Sequence, residues 1–285
     1  MRLRRSRKTA SSRCRFLTGK VRELLSTALD RVGKQTLGAL EALGSIVMLA
    51  GNTAKHLLTG RIHWRNTFAQ MAFIGVESLP IALLTGLSVG MVFTLQIANE
   101  FIRFGATSVI GGVSAIALVR ELGPTLTGVV VAGRVGAAIA AELGSMKVTE
   151  QIDALLAMAS DPIRYLVVPR VIACVLMLPL LAFLADFVGI AGGYGIATGV
   201  KGIAPEVFLT SLQQLLVPAD IFKGLLKAMF FGLVVGIIGC YQGLNTSNGA
   251  QGVGKATTDA VVYSLITIFI ANYFLSSWLF PGGGN

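Results

Sequence analysis

Apolar residues fall into five long runs separated by short polar segments. The runs cover about 73–98, 109–143, 165–188, 221–244 and 256–280. Each is long enough to supply the roughly 20 residues that an α-helix needs to cross the hydrocarbon core of a bilayer. Backbone groups inside a bilayer must be satisfied within the spanning segment, which favours helices. The pattern therefore predicts an all-α polytopic membrane protein with five transmembrane helices.

Residues 20–65, ahead of the first run, have a different periodicity. Between Lys20 and Leu58, apolar side chains recur at three- and four-residue steps with basic residues between them. This spacing is typical of one or two amphipathic helices in the membrane interface, and the alternative is a soluble helix packed on a partner. Residues 1–19 are basic and lack the apolar segment of a cleavable signal. They are interpreted as a disordered tail, although their Ser- and Arg-rich composition is also typical of a transit-peptide fragment.

The second run is longer than one crossing requires, and it contains four charged residues. We expect it to tilt, to extend past the bilayer or to bend at Pro124. Arg120, Glu121, Arg134 and Glu142 lie within it. Charged groups are costly inside a membrane, so these side chains are predicted to face protein or water. Adjacent helical residues point about 100° apart, and Arg120 and Glu121 are therefore expected to have separate partners.

Small residues recur at every fourth position in two of the runs. The second run contains Gly128, Ala132, Gly136, Ala140 and Gly144, and the fourth contains Gly224, Ala228, Gly232, Gly236 and Cys240. Rows of small residues allow helix backbones to approach closely in a membrane. The pattern predicts a tightly packed helix seam, and we interpret it as a seam between two copies of the chain.

Charge gives the predicted orientation. The chain has a net charge of +10, and its excess of basic residues lies in residues 1–65, which contain 14 Lys and Arg and three acidic residues. Basic segments beside a span favour the cytoplasmic side or its organelle equivalent. Lys147, Arg164 and Arg170 place the 145–162 connection on that same side. Lys201–Asp220 is then an outer polar loop, and Asn245–Lys255 is a glycine-rich inner loop. Nucleic-acid binding is the weaker interpretation of the basic end, because no aromatic residues or binding motif accompany it.

No catalytic or metal-binding constellation is evident in the sequence. The three cysteines are far apart and odd in number, and His56 and His63 are not grouped with acids or cysteines. The segment GAQGVGK lacks the spacing, the final Ser or Thr and the preceding strand of a phosphate-binding loop. We therefore expect no metal and no cofactor bound by this chain, so that any energy from ATP must come from a partner.

Two motifs identify a family resemblance. The stretch LVRELGPTLTGVVVAGRVGAAIAAELGSMKVTEQIDAL, followed by DPIRYLVVPRVIA, resembles the signature of MlaE-type permeases. These are membrane subunits of ABC-type lipid transporters that work with an MCE-domain substrate-binding protein. The resemblance covers roughly residues 20–280, with residues 66–285 as the permease domain. The segment GAQGVGKATTDAVVYSLITIFIANYFLSSWLF is most similar to the cyanobacterial and plastid-envelope branch.

The resemblance implies a homodimer in the inner membrane of a bacterium or a plastid inner envelope. It also implies an ABC ATPase that holds ATP and Mg, an MCE-domain protein and a phospholipid or related lipid as partners. Residues 147–159 are then the coupling segment, with Val148, Ile152 and Leu155 on one side. Its residues available to the ATPase are Glu150, Gln151 and Asp153, together with Leu155.

We predict that Glu121 lines a lipid cavity at the dimer interface. The other predicted lining residues are Phe104, Leu95, Leu118 and Leu122. Purely structural ion pairing is the alternative for Glu121. Arg120, Arg134 and Glu142 are interpreted as structural or gating contacts. An ATPase-independent secondary transporter and a membrane scaffold remain as alternative functions.

Overall fold

The computed structural model describes residues 37–57, apart from 39 and 42, together with 63–247 and 249–280. The chain divides into two compact units, one up to Leu49 and one from Ala50 onward. In the first unit, the described residues within 37–49 are helical. The predictions for the tail 1–19 and for residues 20–36 lie outside the described residues.

Helices form nearly all of the described chain. We call the helical residues within 37–57 α1. The others are α2 (Trp64–Arg103), α3 (Ile110–Ala117), α4 (Gly123–Val131), α5 (Ala137–Val148), α6 (Gln151–Ala157), α7 (Val168–Gly199), α8 (Pro205–Leu215), α9 (Pro218–Leu244) and α10 (Gly249–Leu279). Short connections join consecutive helices from α2 onward.

Five helices are long and apolar enough to cross a membrane, as the sequence predicts. These spans are Trp64–Arg103, Thr107–Val148, Ile163–Gly199, Pro218–Leu244 and Gly249–Leu279. They extend beyond most of the predicted limits, because a helix continues into the interface, where polar side chains are tolerated. The last loop is accordingly shorter than predicted, since α10 already begins at Gly249.

The second span is a composite of α-helical and π-helical turns. Wider turns occupy Leu118–Leu122, between α3 and α4, and Ala132–Gly136, between α4 and α5. The first of them ends two residues before Pro124, which lacks a backbone N–H group. The span therefore departs from regular α-helical geometry next to the proline where a bend is predicted. Such π segments are frequent at functional sites.

Glycines bring α2 and α7 together along parallel paths. A methyl group on Gly86 would lie 2.5 Å from the backbone oxygen of Ala185, and one on Gly90 would overlap the backbone oxygen of Gly189. Close backbone approach of this kind requires glycine on at least one helix. This pairing was not predicted from the sequence, although small residues at a four-residue spacing occur on both helices.

The predicted small-residue seam is intramolecular. All five members on the second span are buried within one chain. A methyl group on Gly128 would contact Phe231 at 3.3 Å, and one on Gly136 would contact Val235 at 3.4 Å, both on α9. The interpretation as a seam between two copies is therefore wrong for this row, because α9 and, at Gly144, Thr246 of the same chain already cover it.

The connection between α7 and α9 is not a simple polar loop, because it contains α8. This helix packs on α3, where the backbone N–H of Gly112 donates a hydrogen bond to Ser211 Oγ at 2.9 Å. Phe208 on α8 is 2% exposed and belongs to a small core with Ile110 and Ala197. Phe208, Leu212 and Leu215, spaced by four and three residues in PEVFLTSLQQL, were the available sequence signal for this helix.

Candidate functional site

Charged side chains of the second span and of α9 form two adjacent ion pairs. Glu121, in the π-helical turn Leu118–Leu122, accepts a 2.7 Å hydrogen bond from the ammonium group of Lys227 on α9. The side chain of Lys227 is fully buried, whereas that of Glu121 is 41% exposed. This ion pair therefore joins a cation that has no access to solvent or lipid to a carboxylate on an accessible surface.

The helix α10 completes the hydrogen bonding of this pair. Lys227 Nζ also donates to Ser276 Oγ at 2.7 Å and to the backbone oxygen of Arg120 at 3.2 Å. The side-chain amide of Asn272 donates to Glu121 at 3.3 Å, and its oxygen accepts from Thr125 at 2.9 Å. All three protons of the buried ammonium group thus have an acceptor, as a buried cation requires.

Arg120 forms a separate ion pair on the adjacent surface. Its guanidinium lies 2.8 Å from the carboxylate of Asp220, at the start of α9. It also lies 5.0 Å from the centre of the Phe280 ring, and the ammonium group of Lys223 lies 5.4 Å from the same ring. The adjacent residues Arg120 and Glu121 therefore have different partners, as their angular separation predicts.

We call Arg120, Glu121, Asp220 and Lys227 the charged cluster. The first two were predicted from the sequence, and the last two were not. Lys227 lies in the apolar run GLLKAMFFG, and a lysine inside a span was the signal that could have identified it. Asp220 was predicted to end a polar loop. It is instead a buried residue in the first turn of α9, which begins at Pro218.

The connection between the second and third spans contains the second candidate site, α6. Glu150 at φ 61° precedes the helix and Ala159 at φ 55° follows it, and both are in the left-handed region. Ile152 is buried, whereas the side chains of Leu156 and Met158 are 56% and 71% exposed. The helix is therefore fixed on one side and presents apolar residues on the other.

The predicted coupling residues lie on and beside α6. Glu150 and Gln151 are exposed and Leu155 is half-buried. Asp153 is exposed and forms a 3.0 Å ion pair with Lys147 at the end of α5. Val148 is exposed, although it was predicted to lie on the same side as the buried Ile152. The left-handed turn at Glu150 breaks the helical phase between them, so that one continuous helical face does not form.

The family described as permease MlaE matches residues 67–278, which include the charged cluster and α6. The chain belongs to the MlaE permease family. This membership indicates a transport permease, not an enzyme, and it confirms the resemblance that the RELGP and EQIDAL motifs suggested.

Individual relatives of this MlaE permease come from bacteria and plastids. A probable ABC transporter permease protein of Synechocystis sp. is 52% identical over 257 residues, covering 90% of this chain and 98% of the relative. The chloroplastic protein TRIGALACTOSYLDIACYLGLYCEROL 1 of Arabidopsis thaliana is 46% identical over 241 residues, covering 85% and 69% respectively. A probable ABC transporter permease protein of Rickettsia felis is 41% identical, covering 90% and 99%. The MlaE permease is thus a multi-pass protein of a bacterial or plastid membrane.

The five residues predicted to line a lipid cavity do not meet in one copy of the MlaE permease. Leu118 and Leu122 line a narrow cleft between α2, α4 and α7. Glu121 instead contacts α9 and α10. Phe104 is 82% exposed at the end of α2, and Leu95 is half-buried on that helix. Their joint role in a cavity between two copies stays a prediction.

Arg134 and Glu142 connect the second span to two different helices. Arg134 lies 2.8 Å from Glu77 on α2 and donates to Ser78 at 3.1 Å. Glu142 pairs with Arg170 on α7 at 2.8 Å. Both ion pairs join helices within one chain, and the predicted structural role of Arg134 and Glu142 stays a prediction. Whether they also gate transport stays a prediction.

Other ionisable residues of the MlaE permease form isolated contacts. The imidazole of His56 lies 2.9 Å from the carboxylate of Asp161. Cys174 and Cys240 are free and buried. In the described ranges, no group of three or more histidines, cysteines or acidic residues could hold a metal ion.

Proposed function

We propose that this chain is the permease subunit of an ABC-type lipid transporter. It moves a phospholipid or related lipid between the membrane and an MCE-domain partner, driven by ATP hydrolysis in a separate ATPase. Two copies form the permease in a bacterial inner membrane or a plastid inner envelope, with the N-terminus in the cytoplasm or stroma. Family membership and the ABC permease names of its relatives support the proposal.

The observation that carries the proposal is the exposed face of α6. Leu156 and Met158 are large apolar side chains at the tip of a connection between two spans, and Glu150 and Gln151 add polar groups beside them. Interfaces between proteins combine an apolar centre with a polar rim. The fixed position of α6 would transmit movement of a docked ATPase directly to α5 and α7, which frame the connection.

The membrane setting and the name of one relative support a lipid as the substrate. The name of the Arabidopsis relative includes a glycerolipid, trigalactosyldiacylglycerol. In this chain, the half-exposed carboxylate of Glu121 provides a polar group at the surface of an otherwise apolar bundle. We infer that a second copy faces this surface and that a lipid headgroup passes along it.

Transport requires two states of the permease with different affinities for the ATP-bound partner. A ligand shifts a conformational equilibrium only through such a difference. Here the ligand of the permease is the ATP-bound ATPase, and α6 is the point at which the ATPase contacts the permease. The charged cluster links the second span to α9 and α10, so a movement of α5 would reach the lipid path through these ion pairs.

The test is co-purification of the tagged full-length chain from its native membrane in mild detergent. We expect an ABC ATPase and an MCE-domain protein in the mass spectrum, and ATP hydrolysis by the preparation. The variant Leu156→Asp/Met158→Asp should lose the ATPase subunit, because two charges replace the apolar centre of the docking surface.

The matched control is Gln213→Asp/Gln214→Asp. It adds the same two charges to exposed positions of α8 and should retain the ATPase. Equal thermal stability of both variants would show that the loss is local to α6. A wild-type preparation without an ATPase, under conditions that preserve other ABC complexes, would favour a secondary transporter or scaffold instead.

A further inference from the structure

The two histidines of the chain contact the same turn, at the start of the third span. His56, near the end of α1, places its Nε2 atom 2.9 Å from the carboxylate of Asp161. The ring of His63, which precedes α2, lies edge-on to that of Tyr165, with 5.5 Å between the ring centres. The backbone N–H of Tyr165 donates to the backbone oxygen of Asp161 at 3.1 Å, so both contacted residues belong to one turn. We call these two contacts the histidine clasp.

The contacted turn follows almost directly on α6. Ala159, at φ 55°, comes after the helix, and its backbone N–H donates to the oxygen of Leu156 at 2.9 Å. One residue, Ser160, separates Ala159 from Asp161. The Oδ1 atom of Asp161 accepts a 3.0 Å hydrogen bond from the backbone N–H of Ile163. The end of α6 and the turn are thus joined through hydrogen-bonded backbone, so a restraint on Asp161 also restrains the end of α6.

The charges near the clasp make Asp161 the acidic partner of His56. The described charged residues next to the clasp in the chain are otherwise cationic: Lys55 on α1, Arg65 on α2 and Arg164 in the contacted turn. Lys55 and Arg164 have contacts of their own. On α6, the carboxylate of Asp153 is paired with Lys147. A positive charge on His56 therefore faces the carboxylate of Asp161.

Protonation strengthens both contacts of the clasp. Histidine is the residue whose side chain ordinarily changes its charge between about pH 5 and 8. An imidazolium on His56 would form a charge-assisted hydrogen bond with Asp161, which is stronger than the bond of a neutral ring. A positive charge on His63 would be attracted to the ring of Tyr165, because cations interact with aromatic rings within about 6 Å of the ring centre. The clasp is therefore tighter at low pH and looser as the pH rises.

We propose that the histidine clasp is a pH-sensitive restraint on the coupling segment. With both imidazoles protonated, the clasp holds the end of α6. As the pH rises, the clasp loosens and α6 moves more freely with the docked ATPase. This inference rests on the proposed coupling role of α6, and it makes the proton concentration of the cytoplasm or stroma a regulator of transport.

The first test measures the contact without the ATPase. The full-length chain is purified through a tag that contains no histidine and is unfolded thermally in detergent at about pH 6 and pH 8. A double-mutant cycle of His56→Gln and Asp161→Asn isolates the pair, and the Asn side chain keeps an acceptor for the N–H of Ile163. We expect a coupling of about 1–3 °C in the unfolding temperature at the lower pH and a smaller one at the higher pH.

The second test uses the complex with its co-purified ATPase in phosphatidylcholine liposomes. ATP hydrolysis by the wild type is divided by that of His56→Gln/His63→Gln at each pH, so that the pH profile of the ATPase itself cancels. We expect the wild type to be about 1.4- to fivefold slower than the variant near pH 6 and equal to it near pH 8, as expected for one exposed ion pair.

The matched control is His56→Gln/His63→Gln/Gln213→His. It returns a histidine to an exposed position of α8, and its hydrolysis relative to that of His56→Gln/His63→Gln should not vary with pH.

Three results would overturn the proposal. They are a ratio of wild type to variant that is constant with pH, a wild type that is faster than the variant at the lower pH, and an equal coupling at both pH values. A wild-type preparation without an ATPase would contradict the proposed function, and with it the regulatory role. The double-mutant cycle would then still show whether the clasp itself responds to pH.

Discussion

Glu121 and Lys227 form an ion pair whose two members have unequal environments. Lys227 is fully enclosed, whereas two fifths of the Glu121 side chain is exposed. Replacement of Glu121 by a neutral residue leaves a buried positive charge, whereas replacement of Lys227 leaves a partly exposed negative charge. A buried ammonium group cannot regain solvation, but an accessible carboxylate can recover part of it. The two halves of the pair are therefore not equivalent in their effect on stability.

We predict that Glu121→Leu destabilises the protein by about 3–5 kcal/mol, because it leaves a buried lysine without its counter-ion. Lys227→Met should cost less, about 1–3 kcal/mol, since methionine fills the space and Glu121 stays accessible. Thermal unfolding in detergent compares the variants. The double variant Glu121→Leu/Lys227→Met should be more stable than Glu121→Leu alone, and equal losses in the two single variants would contradict this asymmetry.

The same carboxylate gives a prediction for transport. Glu121→Gln keeps the size of the side chain and a hydrogen-bond acceptor for Lys227, but it removes the charge. If Glu121 lines the lipid path, transport in a reconstituted system should fall at least several-fold while the protein level stays normal. Glu206→Gln, at an exposed position of α8, is the control for the loss of one negative charge. Full transport by Glu121→Gln would leave Glu121 with a structural role alone.

At the scale of elements, the contact between α2 and α7 depends on the absence of side chains. Gly90 is buried against the backbone of Gly189, whereas a methyl group on Gly195, also on α7, would have no atom within 4 Å. Alanine has higher helix propensity than glycine, so the sign of a Gly→Ala substitution depends on the available space.

Gly90→Ala should therefore lower stability by about 1–3 kcal/mol, because α2 and α7 must separate to admit the methyl group. Gly195→Ala should leave stability unchanged or raise it by up to about 1 kcal/mol. Unfolding temperatures of the two variants in the same detergent test this difference. A similar change in both variants would show that helix propensity, and not the contact between α2 and α7, determines their stability.

The π-helical turns contain three of the four charged residues of the second span. Arg120 and Glu121 lie in one such turn and Arg134 lies in another. A wider turn inserts a residue and rotates the side chains that follow, relative to a regular α-helix. Arg134 contacts α2, whereas Glu142, in regular α5, contacts α7. An ideal helix wheel did not predict these two partners.

At the scale of the whole molecule, α6 and α8 lie at opposite ends of the third span. Lys147 and Arg164 flank α6, whereas α8 contains one charged residue, Glu206. Basic residues beside short loops favour the cytoplasmic side. The α6 end is therefore predicted to face the cytoplasm or stroma, and the α8 end the opposite compartment.

Cysteine accessibility tests this orientation. In a Cys14→Ser background, the cysteine of Gln213→Cys should react with a membrane-impermeant maleimide in right-side-out vesicles. The cysteine of Gln151→Cys should react only after permeabilisation. Cys174 and Cys240 are buried and should stay unlabelled. The reverse pattern would invert the predicted orientation, and equal labelling of both new cysteines would contradict a single crossing between α6 and α8.

The sequence alone determined the class, the five spans and the family. Runs of apolar residues must become helices in a bilayer, because no water is present to satisfy their backbone groups. The order of apolar and polar residues along the chain is sufficient for this conclusion. The motifs RELGP and EQIDAL likewise lie within single segments, so they could be recognised without knowledge of the packing.

Only the tertiary structure decided which side chains meet. The partners of Arg120 and Glu121 lie about 100 residues further along the chain, on α9. Helix periodicity indicates which face is buried, but it does not indicate which other helix covers it. The small-residue row was visible in the sequence, yet its partner proved to be α9 of the same chain.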